Sequence, residues 1–546
     1  LTTTIVKAPC DEAVIRAGPA AATAPCSKRA APWVLAATIL GSSITFIDST
    51  VVNVALPVLQ RELGTDIVGA QWVVEAYLLM LSALMLVGGS LGDRLGRKRV
   101  FSMGLLLFAI ASAGCGLAQT TAQLILARAV QGVGAAMLVP GSLAIISASF
   151  SKEDRGRAIG TWSGFTAISA GVGPIMGGWL IENVSWRWIF FINLPIAAAV
   201  LAITWWRVPE SRDEGAAERL DILGAATATL GLGGLVYGLV EAGGRGFKDP
   251  RVVISLAAGA VLLVLFVIVE GRRAQRAMMP LALFRSRTFA GANLLTFFLY
   301  GALGGLMFFL PFNLIQVQGY SATQAGAALL PFVLTMFLLS RWAGGLVHRY
   351  GAKLPLVLGP IVAGLGFLLF ILVGADAGSY WTSVFPAVVV MSLGMAASVA
   401  PLTTTVMGAV GERHAGIASG INNAVSRTAG LISIAVLGVV MTGVFARNFN
   451  PGLQSLDMPS ETRARLEAQT SRLATVSIPD GLKEETKQAV KRAVEESFVS
   501  GFRVVILIVA GLALTSALFA WLLIEGRARP LDEFAAAARL TRKKAA

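Results

Sequence analysis

The run GSLGDRLGRK at residues 89–98 is echoed by GGLVHRYGAK at residues 344–353. Aligned without a gap, Gly89, Arg94, Gly96 and Lys98 fall on Gly344, Arg349, Gly351 and Lys353. Each copy is a short basic joint between two long apolar segments. Where the copies fall in the order of those segments therefore decides the architecture.

The chain has 546 residues, 55% of them hydrophobic and only 14% charged, with a mean hydropathy of +0.72. That much apolar surface cannot be hidden inside one soluble core. Apolar runs, each long enough to cross a hydrocarbon core of about 30 Å as a helix, are predicted near 33–57, 70–91, 99–118, 122–147, 156–181, 188–207, 221–241, 251–270, 289–315, 323–347, 354–374, 380–410, 415–443 and 501–524. The first basic joint follows the second segment and its echo follows the tenth, a displacement of eight. Pro140 and Gly156 recur in the same sense as Pro401 and Gly416. Repeats displaced by an even number of helices share one orientation and are related by an axis along the membrane normal. A displacement of eight is explained by six helices per bundle with an inserted pair.

The expected fold is thus an all-α polytopic membrane protein of fourteen transmembrane helices, six plus two plus six. The first bundle spans 33–207, the inserted pair 221–270, and the second bundle 289–443 together with 501–524. Residues 1–32, rich in Ala, Pro and Thr, read as a disordered cytoplasmic tail, and 525–546 as a basic one. Segment 444–500 is too charged to span, and its helical spacing predicts one or two amphipathic surface helices.

The net charge of +14 does not indicate nucleic acid, because the basic residues are scattered through short loops. Loops after odd-numbered segments carry Arg61, Arg187, Arg245, Lys248 and Arg251; those after even-numbered segments carry many more, among them Arg94, Arg97, Lys98, Arg99, Arg272, Arg273 and Arg276. By the positive-inside rule the even face, and with it both termini, is expected in the cytoplasm of a cytoplasmic (inner) membrane. Cys10, Cys26 and Cys115 have no metal-like spacing, and no disulfide framework or metal site is expected. No phosphate-binding loop, HExxH or GxSxG occurs, which argues against an ATP-driven pump or an enzyme.

Several polar residues stand in apolar surroundings, where they need a reason. Asp48 lies in FIDSTVVNVALP with no other charged residue from Ala30 to Gln60; a carboxylate in hydrocarbon costs roughly 2.5–3.5 kcal/mol on insertion scales. It is the candidate for binding a proton or a lipophilic cation, one excluding the other. Arg128 needs polar partners or a route to the surface, and Gln131 shares its helical face. Glu75 reads either as a rim residue or as a relay acid. Asn422, Asn423 and Arg427 cluster on segment 13 and face either a central cavity or a neighbouring helix. Arg341 pairs with an acid or reaches the even face. Aromatic positions such as Phe297, Phe298, Tyr300, Phe308 and Phe309 suit either a cavity wall or a lipid-facing surface.

These stretches together resemble a known family. GGSLGDRLGRKRV at 88–100 is similar to the loop motif between helices 2 and 3 of the major facilitator superfamily. LARAVQGVGAAMLVPGSLAII at 126–146 and GVGPIMGGWL at 171–180 resemble its fourth-helix and antiporter motifs, and FIDSTVVNVALP resembles the first-helix motif of the fourteen-helix drug:proton antiporters of EmrB/QacA type. The resemblance implies a proton-coupled exporter of hydrophobic or cationic compounds that works by alternating access, with the proton gradient as energy source and no cofactor; the alternatives are export of a specific native metabolite, lipid or siderophore, and a non-transporting membrane sensor or scaffold. A periplasmic adaptor stays open. It further implies that Gly89, Gly92, Asp93, Arg94, Gly96, Arg97 and Lys98 form a conformational latch against helix 13. Arg128 would serve proton coupling, and Gly171, Gly173, Pro174, Gly177 and Gly178 would let helix 5 pack closely and flex. His348 replaces the acid in the second copy, so only the first is expected to latch.

Overall fold

A computed structural model describes residues 30–212, 221–273, 279–374, 378–410, 415–479 and 482–526. The tails read at 1–32 and 525–546 fall almost wholly outside these residues, as do the side chains of Arg341 and His348. The described chain is helical and contains fourteen helices long and apolar enough to span a membrane. They are α1 Ala31–Glu62, α2 Ile67–Leu95, α3 Arg97–Leu117, α4 Thr121–Ser149, α5 Lys152–Asn183 and α6 Trp188–Arg207, then α7 Ile222–Arg245 and α8 Pro250–Arg273. After them come α9 Arg287–Val317, which ends in a π-turn, α10 in two pieces (Ala322–Ala327 and Leu330–Tyr350), α11 Lys353–Leu372, α12 Tyr380–Gly408, α13 Ala415–Gln454 and α14 Glu484–Leu523. The protein is an integral membrane protein.

Polar side chains mark where spans begin. Asp66 caps α2 by accepting from Gly69 N at 2.9 Å, and Thr120 with Gln123 forms a capping box at α4. Ser321 with Gln324 does the same at α10. Each cap satisfies amide donors that the first helical turn leaves without partners.

Helices α1 to α6 pack as one bundle and α9 to α14 as a second. Helix α7 lies against α2 and α13, while α8 packs on α7 and turns Ile254, Val261 and Val264 outward. The bundles meet chiefly where α2 packs on α13 and α5 on α10. A shift of eight helices turns the first of these pairs into the second, as a twofold axis between parallel repeats requires.

The opening repeat is a structural one. Gly96 and Gly351 are both in the left-handed region, with φ of +111° and +76°. A Cβ on Gly96 would lie 2.6 Å from Glu210, and one on Gly351 would lie 2.3 Å from the carbonyl of Gly526. Each glycine therefore turns the chain tightly against the segment just past the last helix of its own bundle, where only glycine fits.

Segment 444–500 differs from expectation. It does not stand apart from the spans, because α13 runs on to Gln454 and α14 starts at Glu484. Phe445, Phe449 and Leu453 on one extension and Val490, Val494 and Phe498 on the other are buried. Beyond hydrocarbon, water can solvate the charged faces while these stripes hold the helices together. A short helix Ser460–Glu467 and a turn Thr470–Thr475 join them, and the turn rests on α1, α2, α13 and α14.

Candidate functional site

Asp48 and Arg128 meet. They form a salt bridge with relative side-chain exposures of 0% and 1%. Arg128 also donates from Nε to the carbonyl of Val73 at 3.1 Å and from a terminal nitrogen to Gln131 Oε1 at 2.6 Å. Its guanidinium lies 4.2 Å over the Tyr77 ring. Gln131 returns its amide to Asp48 Oδ1 at 2.9 Å and to Ser112 Oγ at 3.2 Å. Asn193 donates to Ser112 Oγ at 2.9 Å and, at a long 3.5 Å, to Asp48 Oδ1. Ser112 passes its own proton to the carbonyl of Phe190 at 3.0 Å.

Five helices of the first bundle, α1, α2, α3, α4 and α6, thus converge on one carboxylate. Isolated, a buried ion of this kind costs several kcal/mol; paired and fully hydrogen-bonded, it is tolerated. Sequence spacing indicated Asp48, Arg128 and Gln131. It missed Ser112, Asn193 and Tyr77, which are single polar groups in apolar helices and acquire meaning only through the packing of distant segments.

The other candidates do not join this network. Glu75 is 0% exposed, so it is no rim residue, and among the described residues neither carboxyl oxygen has a hydrogen-bond partner. The chain around it faces α13: Gln71, one turn earlier, donates to the carbonyl of Ile434 at 3.0 Å. Replacing Glu75 by Met removes both unpartnered oxygens while keeping the length of the side chain. The variant is expected to melt no lower than the parent in detergent, since such a group costs about 1–3 kcal/mol when left without partners.

Asn422 packs helix on helix, donating to Thr296 Oγ1 at 2.6 Å and Asn293 Oδ1 at 3.2 Å of α9, and Asn423 bonds its own helix at Ser419. Arg427 instead faces the Phe46 ring of α1 at 5.1 Å. Phe308 and Phe309 are core residues, and Phe298 stacks on Phe519 at 5.3 Å.

In the loop between α2 and α3, Asp93 accepts two hydrogen bonds from Arg97, at 2.9 and 2.8 Å. The hydrogen bonds of Asp93 given by the described residues both come from Arg97, one helical turn on. The exposed amides of α3 are taken by Glu210, which accepts from Lys98 N at 3.0 Å and Arg99 N at 3.2 Å. A carboxylate at a helix N-terminus is favourable because of the dipole and the free amides.

Helix α5 ties the two bundles. A Cβ on Gly173 would lie 2.4 Å from Thr50 Oγ1 and one on Gly177 1.9 Å from Val51, both on α1. On the other side, a Cβ on Gly178 would lie 2.5 Å from the carbonyl of Ala322, one on Gly171 2.1 Å from Val333, and Pro174 O abuts Gly326, all on or beside α10. Glu182 completes the odd-face contact by accepting from Thr323 N at 2.7 Å and Thr323 Oγ1 at 2.6 Å. Since a carbonyl cannot move aside, Gly178→Val should push α5 from α10. A cysteine at position 324, in a background without the native cysteines, should then react several-fold faster with an impermeant maleimide; an unchanged rate would contradict this.

Comparison with known proteins accords with this architecture. The sequence profile of the Major Facilitator Superfamily matches residues 38–434. The chain belongs to the major facilitator superfamily. Its fourteen spans fit the superfamily's fourteen-helix drug:proton antiporter type. The multidrug resistance protein Stp of Mycobacterium tuberculosis (strain CDC 1551 / Oshkosh) is 36% identical over 426 residues, covering 77% of this chain and 78% of that one. The puromycin resistance protein pur8 of Streptomyces alboniger is 33% identical over 505 residues, covering 92% and 93%. Among solved structures, a bacterial homolog of the human lysosomal transporter Spinster, inward-facing and unoccupied, is similar with a TM-score of 0.61 at 18% identity, covering 90% of this chain and 98% of that one. The superfamily member described here is therefore a transporter, and the two relatives named above are called drug-resistance proteins.

Proposed function

We propose that the protein exports hydrophobic, antibiotic-like compounds across the cytoplasmic membrane in exchange for protons, with its even face in the cytoplasm. The observation that carries this reading is the Asp48 network. A carboxylate and a guanidinium are buried together at 0% and 1% exposure, inside the one bundle. Two charges are expensive to bury, and replacing them by apolar groups is often neutral or stabilising, so stability alone does not explain them. A proton arriving at Asp48 removes one charge of the pair and frees Arg128, which bonds the backbone of α2 at Val73. Protonation would thereby change how α1, α2 and α4 hold one another, and α2 is a helix that packs against the other bundle.

Both oxygens of Asp48 are engaged by Arg128, Gln131 and Asn193. This supports the proton as its ligand, with substrate binding elsewhere, rather than one carboxylate shared by the two. Rocking of the bundles about α2·α13 and α5·α10 would expose the substrate alternately to the two faces.

Cells lacking their own pumps and expressing this chain test the reading. Efflux of a hydrophobic dye should stop when an uncoupler collapses the proton gradient with ATP maintained, and continue when ATP is depleted with the gradient maintained by respiration. The reverse pattern would overturn it.

A further inference from the structure

Among the described residues, a positively charged group stands open where the two bundles meet. Arg427 of α13 is partly exposed, as are Phe46 of α1 and Tyr300 of α9. Its guanidinium carbon is 5.1 Å from the Phe46 ring centre, and Tyr77 and Tyr300 lie within electrostatic reach. Gly304, one turn from Tyr300, brings α9 against α13: a Cβ there would lie 2.9 Å from Gly430. Among the described residues, Arg427 has no ion pair and no hydrogen bond from its guanidinium.

Among the described residues, the acids nearest in the packing of α1 and α2, Asp48 and Glu75, are committed or enclosed. Asp48 is held by Arg128, Gln131 and Asn193 and has no exposed surface. Glu75 is also 0% exposed. Helices α2 and α13 run antiparallel, with Gln71 against Gly438 and Leu86 against Gly420. That register places Glu75 over a helical turn from Arg427, towards the odd face.

We infer that Arg427 is the recognition cation of the substrate site and that the favoured substrates are flat, apolar molecules bearing a carboxylate or phenolate rather than a positive charge. This rests on the export reading above and specifies its substrate. The physical grounds are three. A guanidinium offers a planar fork of donors that matches a carboxylate, and charge-assisted bonds of this kind are about twice as strong as neutral ones. Aromatic rings beside it supply faces on which a flat body packs. A cationic ligand would instead meet like charge in a site of low dielectric, where repulsion is strengthened. The anion also provides a counter-charge that none of the described residues gives to Arg427.

Three fluorescent probes of one shape separate the charge classes: pyrenebutyrate, its methyl ester, and a pyrenylbutyl-trimethylammonium ion. Binding to the purified full-length protein in detergent is read by anisotropy. The wild type should bind the carboxylate at least roughly ten-fold more tightly than the ester, and the cation most weakly. Arg427→Gln should lose that preference and bind the ester as before. Arg427→Lys keeps the charge without the fork, is the safer variant for folding, and should show an intermediate preference.

A wild type that prefers the cation, or shows no charge preference, overturns the inference. So does an equal loss for all three probes in Arg427→Lys with an unchanged melting temperature. The assay needs neither a bilayer nor a proton gradient. A charge preference without proton-driven transport would sink the export reading alone; proton-driven transport with preference for the cation would sink this inference alone.

Discussion

Asp48→Asn should leave a protein that folds, inserts and binds substrate but cannot move it uphill. Asparagine keeps the shape of the side chain and one acceptor for Gln131 and Arg128, so the network of Ser112 and Asn193 has reason to persist. What it cannot do is gain and lose a proton. Net export against a gradient should fall to background, while exchange of labelled for unlabelled substrate across proteoliposomes should stay within a few-fold of the parent. The variant should also melt lower, because Arg128 is left buried without a counter-charge; breaking a buried pair in this way costs about 3–5 kcal/mol. Loss of exchange together with uphill export would instead mean that Asp48 builds the substrate site.

Removing the other partner should cost more. Arg128 joins the carboxylate of Asp48, the amide of Gln131, the backbone of α2 at Val73 and the face of Tyr77. In Arg128→Ala each acceptor loses its donor at once and a cavity opens beneath Tyr77. The expected destabilisation is about 3–5 kcal/mol or more, seen as low yield in the membrane. Arg128→Lys should fold better yet restore little export, because one ammonium cannot span the same three acceptors. The double variant Asp48→Asn with Arg128→Gln has no buried charge and should be more stable than Arg128→Ala, with no uphill transport. A double-mutant cycle on melting free energies should therefore show strong coupling between the two sites. Additive losses would contradict a direct pair.

The comparison of sequence with structure shows which physics is local. The repeat at 89–98 and 344–353 was readable because a left-handed turn demands glycine, and that demand is met twice, at Gly96 and Gly351. Asp48 and Arg128 were readable because charges in apolar runs are costly wherever the helices go. That they would meet was not, since 80 residues separate them. Ser112 and Asn193 carried no such signal; a hydroxyl or amide in an apolar helix is unremarkable until a neighbour orients it. Glu75 was readable as an anomaly, but the direction it faces depends on the packing of α2 on α13. Sequence alone sets segment 444–500 apart from the spans because hydropathy marks where a helix leaves the hydrocarbon, not where its hydrogen bonds stop.

The glycines of α5 show the same limit from another side. Their motif suggested close packing, but only the structure shows that Gly173 and Gly177 face α1 while Gly171 and Gly178 face α10. One helix thus carries a contact to its own bundle and one to the other, which suits it to transmit a change at α1 across the interface.

The central claim is that Asp48 carries the proton that drives export. The most direct test is proton movement in proteoliposomes loaded with a pH-sensitive dye, with a substrate gradient imposed and no other energy source. The account predicts substrate-driven proton movement in the wild type and none above the leak of empty liposomes in Asp48→Asn, with substrate exchange preserved in both. Undiminished proton movement in Asp48→Asn would contradict it.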